Sequence, residues 1–89
     1  MISYKEKIAD ILTPHIEGVE REEILAMIES PADSKMGDYA FPCFKLAKIL
    51  RKAPPMIAKT IAEAVQGENL FSKVENVNAY VNMFISKKE

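Results

Sequence analysis

Apolar residues recur every three or four positions in four segments of the chain, and this spacing is typical of short amphipathic helices. The first segment follows Ser3 and Glu6, which match a capping box, and it ends near Thr13 because Pro14 cannot continue the helical hydrogen bonds. Prolines also favour the beginnings of the third and fourth segments. The pattern therefore predicts four helices, over residues 4–13, 20–26, 42–52 and 54–66.

Four further segments either alternate between polar and apolar residues or stand before a proline, and both features favour extended backbone. They are residues 27–30, 38–41, 72–77 and 80–86. Asn78 and Ala79 separate the last two segments, which are expected to pair as a hairpin. We therefore expect an α+β fold in which four short strands form a small antiparallel sheet and about four helices pack on one face of it.

The last predicted strand places Tyr80, Asn82 and Phe84 on one side of the sheet, with Lys73 before the strand and Lys87 after it. Unpaired RNA is bound by such groups, because bases stack on aromatic rings and amides bind base edges. The alternative is that a neighbouring element covers these side chains. That alternative is favoured for Phe84 and stays open for Tyr80 and Asn82.

The 89 residues are 48% apolar and 28% charged, which is typical of a single folded domain spanning residues 1–89. No apolar run approaches the ~18 residues of a membrane-spanning helix, and the first residues do not resemble a signal peptide. We therefore expect a cytoplasmic protein with no membrane partner. Cys43 and His15 are the only cysteine and histidine, so the chain is expected to hold no catalytic site, metal or cofactor of its own.

Charge is distributed unevenly along the chain, although the formal net charge is only −1. Residues 1–38 contain nine acidic and four basic residues, whereas residues 39–89 contain eight basic and four acidic ones. Lys45, Lys48 and Lys52 are spaced three and four positions apart, which forms a basic ridge on a helix. The second half is thus suited to face a polyanion, although the alternative of ordinary solvated helix faces is favoured on charge alone.

The chain contains, in this order, Ile-Glu-Ser-Pro at 28–31, Lys-Met-Gly-Asp-Tyr-Ala-Phe-Pro at 35–42, Phe-Lys-Leu-Ala-Lys at 44–48 and Ala-Pro-Pro-Met-Ile-Ala at 53–58. Together these segments resemble the N-terminal domain of arginyl-tRNA synthetases, in particular those of bacteria. The closing residues 81–85 resemble the last strand of that domain, where an amide commonly follows an aromatic residue by two positions. The resemblance extends from the first helix to Ile85.

This resemblance implies that the chain is a tRNA-recognition domain that touches the D-loop, at the outer corner of tRNA(Arg). In the family an aromatic residue and an amide on the last strand make these contacts, and they correspond here to Tyr80 and Asn82. A further family asparagine corresponds to Val77, and Asn78 stands one position later. Contacts with nearby phosphates are expected from Lys73, Lys87, Lys45, Lys48 and Lys52.

The resemblance also implies that ATP-dependent arginylation takes place elsewhere, in the catalytic domain of a class I synthetase. That domain binds ATP and magnesium, and neither it nor the anticodon-binding domain is expected within these 89 residues. The catalytic domain of the same polypeptide is then a second partner, beside the tRNA. The competing hypothesis is a protein-interaction module, which docks on the synthetase core or on a partner protein through an apolar helix face.

Overall fold

The computed structural model describes residues 3–86, which form an α+β domain with a helical layer on one face of a sheet. Two short 3₁₀ turns, Thr13–His15 and Ser34–Met36, accompany the regular elements. The helices are α1 (Tyr4–Leu12), α2 (Arg21–Met27), α3 (Leu46–Leu50) and α4 (Pro54–Val65), and the strands are β1 (Tyr39–Pro42), β2 (Phe71–Val77) and β3 (Tyr80–Ile85).

Within residues 3–86 the sheet has three antiparallel strands in the order β1-β3-β2, so the prediction of four strands is wrong. Of residues 27–30, only Glu29 pairs with the sheet, through an isolated bridge to Ala40. Helix α2 continues through Met27, and Pro31 offers no backbone N–H to a ladder. Because so few residues remain between them, this segment forms a single bridge in place of a strand.

The four predicted helices are present, but α3 is shorter than the expected span of residues 42–52. Pro42 does not begin this helix; it is the last residue of β1, an edge strand that tolerates a missing N–H. The next residue, Cys43, donates its backbone N–H to the Ala79 carbonyl over 2.8 Å and so holds the chain against the β2–β3 turn. The helix ends at Arg51, whose backbone is left-handed with φ 56°.

The hydrophobic core lies between the helices and the inner face of the sheet. Helix α4 packs on β2 and β3, and α1 packs on α2. Val81, Met83 and Ile85 of the central strand β3 all join this core, as the period-two alternation predicts. The alternate residues of β3 therefore face the other side of the sheet.

The turn before β1 fixes the far end of β3 through Gly37 and Asp38. Gly37 has a positive φ of 99°, and a Cβ atom at this position would lie 2.9 Å from the Met83 carbonyl oxygen. The Asp38 backbone N–H donates to that same oxygen over 2.9 Å. The Asp38 Oδ2 atom accepts from the Ile85 backbone N–H over 2.8 Å. Gly37 and Asp38, which belong to the segment 35–42 that resembles the family, therefore have a structural role at the sheet.

Candidate nucleic-acid interface

The side chains that face away from the core form one surface, here called the outer face. The register of the strands places them side by side, with β3 in the middle. Because residues i and i+2 of a strand share a face, each strand contributes every second residue. The outer face consists of Ala40 and Pro42 of β1, Tyr80, Asn82 and Phe84 of β3, and Lys73, Glu75 and Val77 of β2.

Tyr80 lies at one end of the outer face and is half-buried. Its ring meets the Phe44 ring edge to face, with the centroids 5.5 Å apart and an interplanar angle of 79°. This geometry is favourable for aromatic pairs. Phe44 is 55% exposed, and Val77, the register partner of Tyr80, is 40% exposed. An apolar and aromatic surface is therefore accessible around Tyr80.

Asn82 shares the outer face with Tyr80, but its side chain is only 1% exposed, so of the two alternatives left open for this residue the covered one is observed. It occupies the middle of the central strand, opposite Ala40 on one neighbour and Glu75 on the other. The Oδ1 atom is buried and has no hydrogen-bond partner among the described residues 3–86. The carboxamide thus lies at the floor of the outer face with an unused acceptor.

Phe84 is half-buried at the opposite end of the outer face, neither sealed in the core nor fully displayed. Lys73 faces it across the ladder, with Nζ 5.2 Å from the ring centroid, a distance suited to a cation–π contact. The same ammonium group lies 3.0 Å from the Glu75 Oε2 atom. Lys73 is exposed, so its positive charge remains at the surface of the outer face.

The other predicted basic residues are not gathered on this face. Lys45 precedes α3 and Lys52 follows it, because the helix spans only Leu46–Leu50, so the predicted ridge along one helix is interrupted. All three lysines, including Lys48, are exposed. Lys45 lines a groove beside Tyr80, whereas Lys52 lines a separate cavity of about 390 Å³ together with His15. Lys87 lies outside the described residues.

The predicted turn contact Asn78 is exposed between β2 and β3. Its backbone is left-handed, with φ 52°, and asparagine tolerates this conformation better than most residues. The asparagine therefore has a structural reason to occupy the turn, independent of any ligand. Its position places it at the same end of the outer face as Tyr80.

Two surface residues were missed by the sequence analysis, and both lie beside Tyr80. Phe44 falls within the predicted third helix of residues 42–52, but it precedes α3 and is exposed. Glu29 extends from the bridge to Ala40 and lines the same groove as Lys45, Phe44 and Tyr80, with a volume of about 260 Å³. The only signal for Phe44 was an aromatic residue close after a proline.

Thiol reactivity and metal binding find little support in the part of the chain that the structure describes. Cys43 is buried, and burial raises the pKa of its thiol to about 12, so the thiol stays protonated and unreactive. No three histidine, cysteine, aspartate or glutamate side chains lie together as metal ligands within residues 3–86. None of the helices within residues 3–86 has the length and hydrophobicity that a membrane-spanning segment requires.

Comparison with known proteins identifies the family. The protein-family model described as "Arginyl tRNA synthetase N terminal domain" matches residues 3–85. The chain is 49% identical over 88 residues to an arginine–tRNA ligase of Halothermothrix orenii, covering 99% of this chain and 16% of that protein. It is 47% identical over 89 residues to the arginine–tRNA ligase of Clostridioides difficile, covering 100% of this chain and 16% of that protein.

A solved structure shares the fold. The arginyl-tRNA synthetase of Thermus thermophilus matches with a TM-score of 0.73 over 94% of this chain and 14% of that one, at 22% sequence identity. The chain thus spans only about 16% of the length of the curated relatives it matches. These findings confirm the resemblance that the ordered sequence segments indicated: the chain belongs to the family of arginyl-tRNA synthetase N-terminal domains.

Proposed function

We propose that this chain is the tRNA-recognition domain of a cytoplasmic arginine–tRNA ligase and that its outer face contacts the D-loop of tRNA(Arg). The observation that carries the proposal is the accessible aromatic surface around Tyr80, on the side of the sheet that faces away from the core. In this account ATP and magnesium bind in the catalytic domain of the same polypeptide, which performs the arginylation. The domain described here supplies binding and orientation.

The side chains of the outer face suit unpaired RNA. The Tyr80 ring offers a surface on which one splayed base of the D-loop stacks, and such stacking contributes about 1–3 kcal/mol per base. Lys73, at the other end of the face, contacts a phosphate, and the exposed turn residue Asn78 borders the bound loop. Lys87 follows β3 in sequence and is proposed as a further phosphate contact.

Asn82 is proposed to read the edge of the stacked base. Its Oδ1 atom has no partner in the free domain and is an acceptor for a base N–H group. Because the side chain is buried, the base has to approach closely, or the neighbouring Tyr80 ring has to move aside. Because such contacts are few, the domain by itself binds RNA only weakly. Within a larger enzyme they act by raising the effective concentration of the tRNA at the catalytic domain.

Removing the Tyr80 ring is the test of this proposal. In the full-length protein, Tyr80→Ala is expected to weaken binding of tRNA(Arg) about tenfold, because one stacking contact is lost. Tyr80→Phe keeps the ring and is expected to bind within about twofold of the wild type. Tyr4→Ala, which removes a 42% exposed ring from α1, is the matched control. Equal affinities of Tyr80→Ala and Tyr4→Ala would refute the stacking role.

Lys73 gives a separate prediction about salt dependence. The binding constant K falls as salt concentration rises, and each phosphate contact that is lost makes the negative slope of log K against log salt concentration less steep by about 0.7–0.9. Lys73→Ala in the full-length protein is expected to reduce the slope by about this amount. Lys59→Ala, which removes an exposed lysine from α4, is expected to leave the slope unchanged. An unchanged slope for Lys73→Ala would show that this lysine contacts no phosphate.

A further inference from the structure

The two aromatic residues beside the groove are held in a fixed relation by the backbone. Cys43, which precedes Phe44, donates its N–H to the carbonyl of Ala79, which precedes Tyr80, over 2.8 Å. Cys43 is fully buried and Ala79 is 2% exposed, so this hydrogen bond joins two buried residues. The Phe44 ring is therefore exposed because its backbone is positioned there, and not because it belongs to a mobile tail.

Two charged groups of opposite sign complete the groove. Glu29 is fixed at the edge of the sheet by two backbone hydrogen bonds with Ala40, of 2.8 and 2.9 Å. Its side chain and that of Lys45 are both exposed and line the groove of about 260 Å³. Neither takes part in an ion pair within residues 3–86. The groove thus presents a carboxylate acceptor, an ammonium group and the flat surface of Phe44.

We propose that this groove binds a second unpaired base, next to the one assigned to Tyr80, and that guanine is the base it fits best. An ionised carboxylate only accepts hydrogen bonds, and guanine presents two adjacent donors, N1–H and the N2 amino group, to its two oxygens. Uracil presents mainly acceptors on the same edge, and a phosphate alone is repelled by Glu29. Phe44 then stacks on the base, while Lys45 neutralises the adjoining phosphate.

This inference rests on the proposed function, because it places a second base of the same RNA on the same end of the sheet. Phe44 and Glu29 are tested in the full-length protein with a tRNA(Arg) transcript and with a series of transcripts. In each transcript of the series one D-loop guanine is replaced by inosine, which lacks the N2 amino group. The variants are Phe44→Ala and Glu29→Gln. Matched controls on α4 are Met56→Ala, a side chain with 61% exposure, and Glu63→Gln, an exposed carboxylate.

Phe44→Ala is expected to weaken binding about tenfold, and Met56→Ala is expected to leave it unchanged. One inosine substitution is expected to weaken binding to the wild type about fivefold and to have a smaller effect on Glu29→Gln, because the amide has one acceptor oxygen in place of the two that pair with N1–H and the amino group. Glu63→Gln is expected to keep the wild-type discrimination between guanine and inosine.

Several results would overturn the inference. If Tyr80→Ala weakens binding but Phe44→Ala does not, the second base site is absent and the proposed function stands. If neither variant changes binding, the proposed function fails as well. If Glu29→Gln tightens binding of every transcript alike, the carboxylate only repels phosphate. If Phe44→Ala lowers the Tm of the full-length protein with RNA binding intact, another part of the polypeptide covers Phe44.

Discussion

Replacing Asn82 with leucine, a side chain of similar shape, is expected to stabilise the fold and to weaken tRNA binding at the same time. The buried Oδ1 atom has no partner within residues 3–86, and an unsatisfied buried polar group costs about 1–3 kcal/mol. Asn82→Leu removes that cost, so the free energy of unfolding should rise by about 1–2 kcal/mol. For a domain of this size each kcal/mol raises the Tm by about 4–8 °C.

The same substitution is expected to weaken binding of tRNA(Arg) by about 10- to 100-fold, because a base donor is left without its acceptor. Thermal unfolding and RNA binding are measured on the same Asn82→Leu protein, with Met56→Leu, an exposed position on α4 away from the outer face, as a control. A stabilised variant with unchanged binding would remove Asn82 from the RNA contact. A destabilised variant would show that the carboxamide has a partner in the folded protein.

Gly37→Ala is expected to destabilise the domain by about 2–4 kcal/mol, because it combines backbone strain with a steric clash. The φ of 99° is rarely adopted by residues with a side chain, and the new methyl group would lie 2.9 Å from the Met83 carbonyl oxygen. Moving the turn away would also disturb the two hydrogen bonds of Asp38 to β3. Chemical denaturation measures the change.

Gly67→Ala is the matched control for this substitution. Nothing lies within 4 Å of the position that a Cβ atom would take there, and the residue follows α4 without a positive φ. Its stability is expected to stay within about 0.5 kcal/mol of the wild type. If both glycine variants unfold at the same denaturant concentration as the wild type, the Gly37–Met83 contact does not constrain the fold.

The helix boundaries that were predicted well are those with local chemical signals. Ser3 and Glu6 form the capping box expected of them, and α1 ends at Leu12, close before Pro14. The fourth strand and the long third helix were wrong because tertiary contacts decide those segments. Pro42 pairs with Tyr80 in the sheet and Cys43 donates to Ala79, so the helix begins only after these residues, and the partner of Cys43 lies 36 positions further along the chain.

The candidate site shows a similar division. Period-two alternation correctly placed Tyr80 and Asn82 on the face opposite the core, because the pleat of a strand is a local property. It did not indicate that Asn82 is buried, since burial depends on which strands lie on each side of β3. Phe44 was missed for a related reason: its contact with Tyr80 arises only when β1 and β3 are paired.

Photocrosslinking tests the central claim most directly, because it reports which face of the domain touches the RNA. The full-length protein is prepared with p-benzoylphenylalanine in place of Val77, which lies exposed on the outer face, or in place of Met56 on α4. Irradiation with bound tRNA(Arg) is predicted to join the Val77 variant to nucleotides of the D-loop and to leave the Met56 variant unlinked. Adducts from the Met56 variant alone, or adducts of the Val77 variant outside the D-loop or with protein only, would contradict the account.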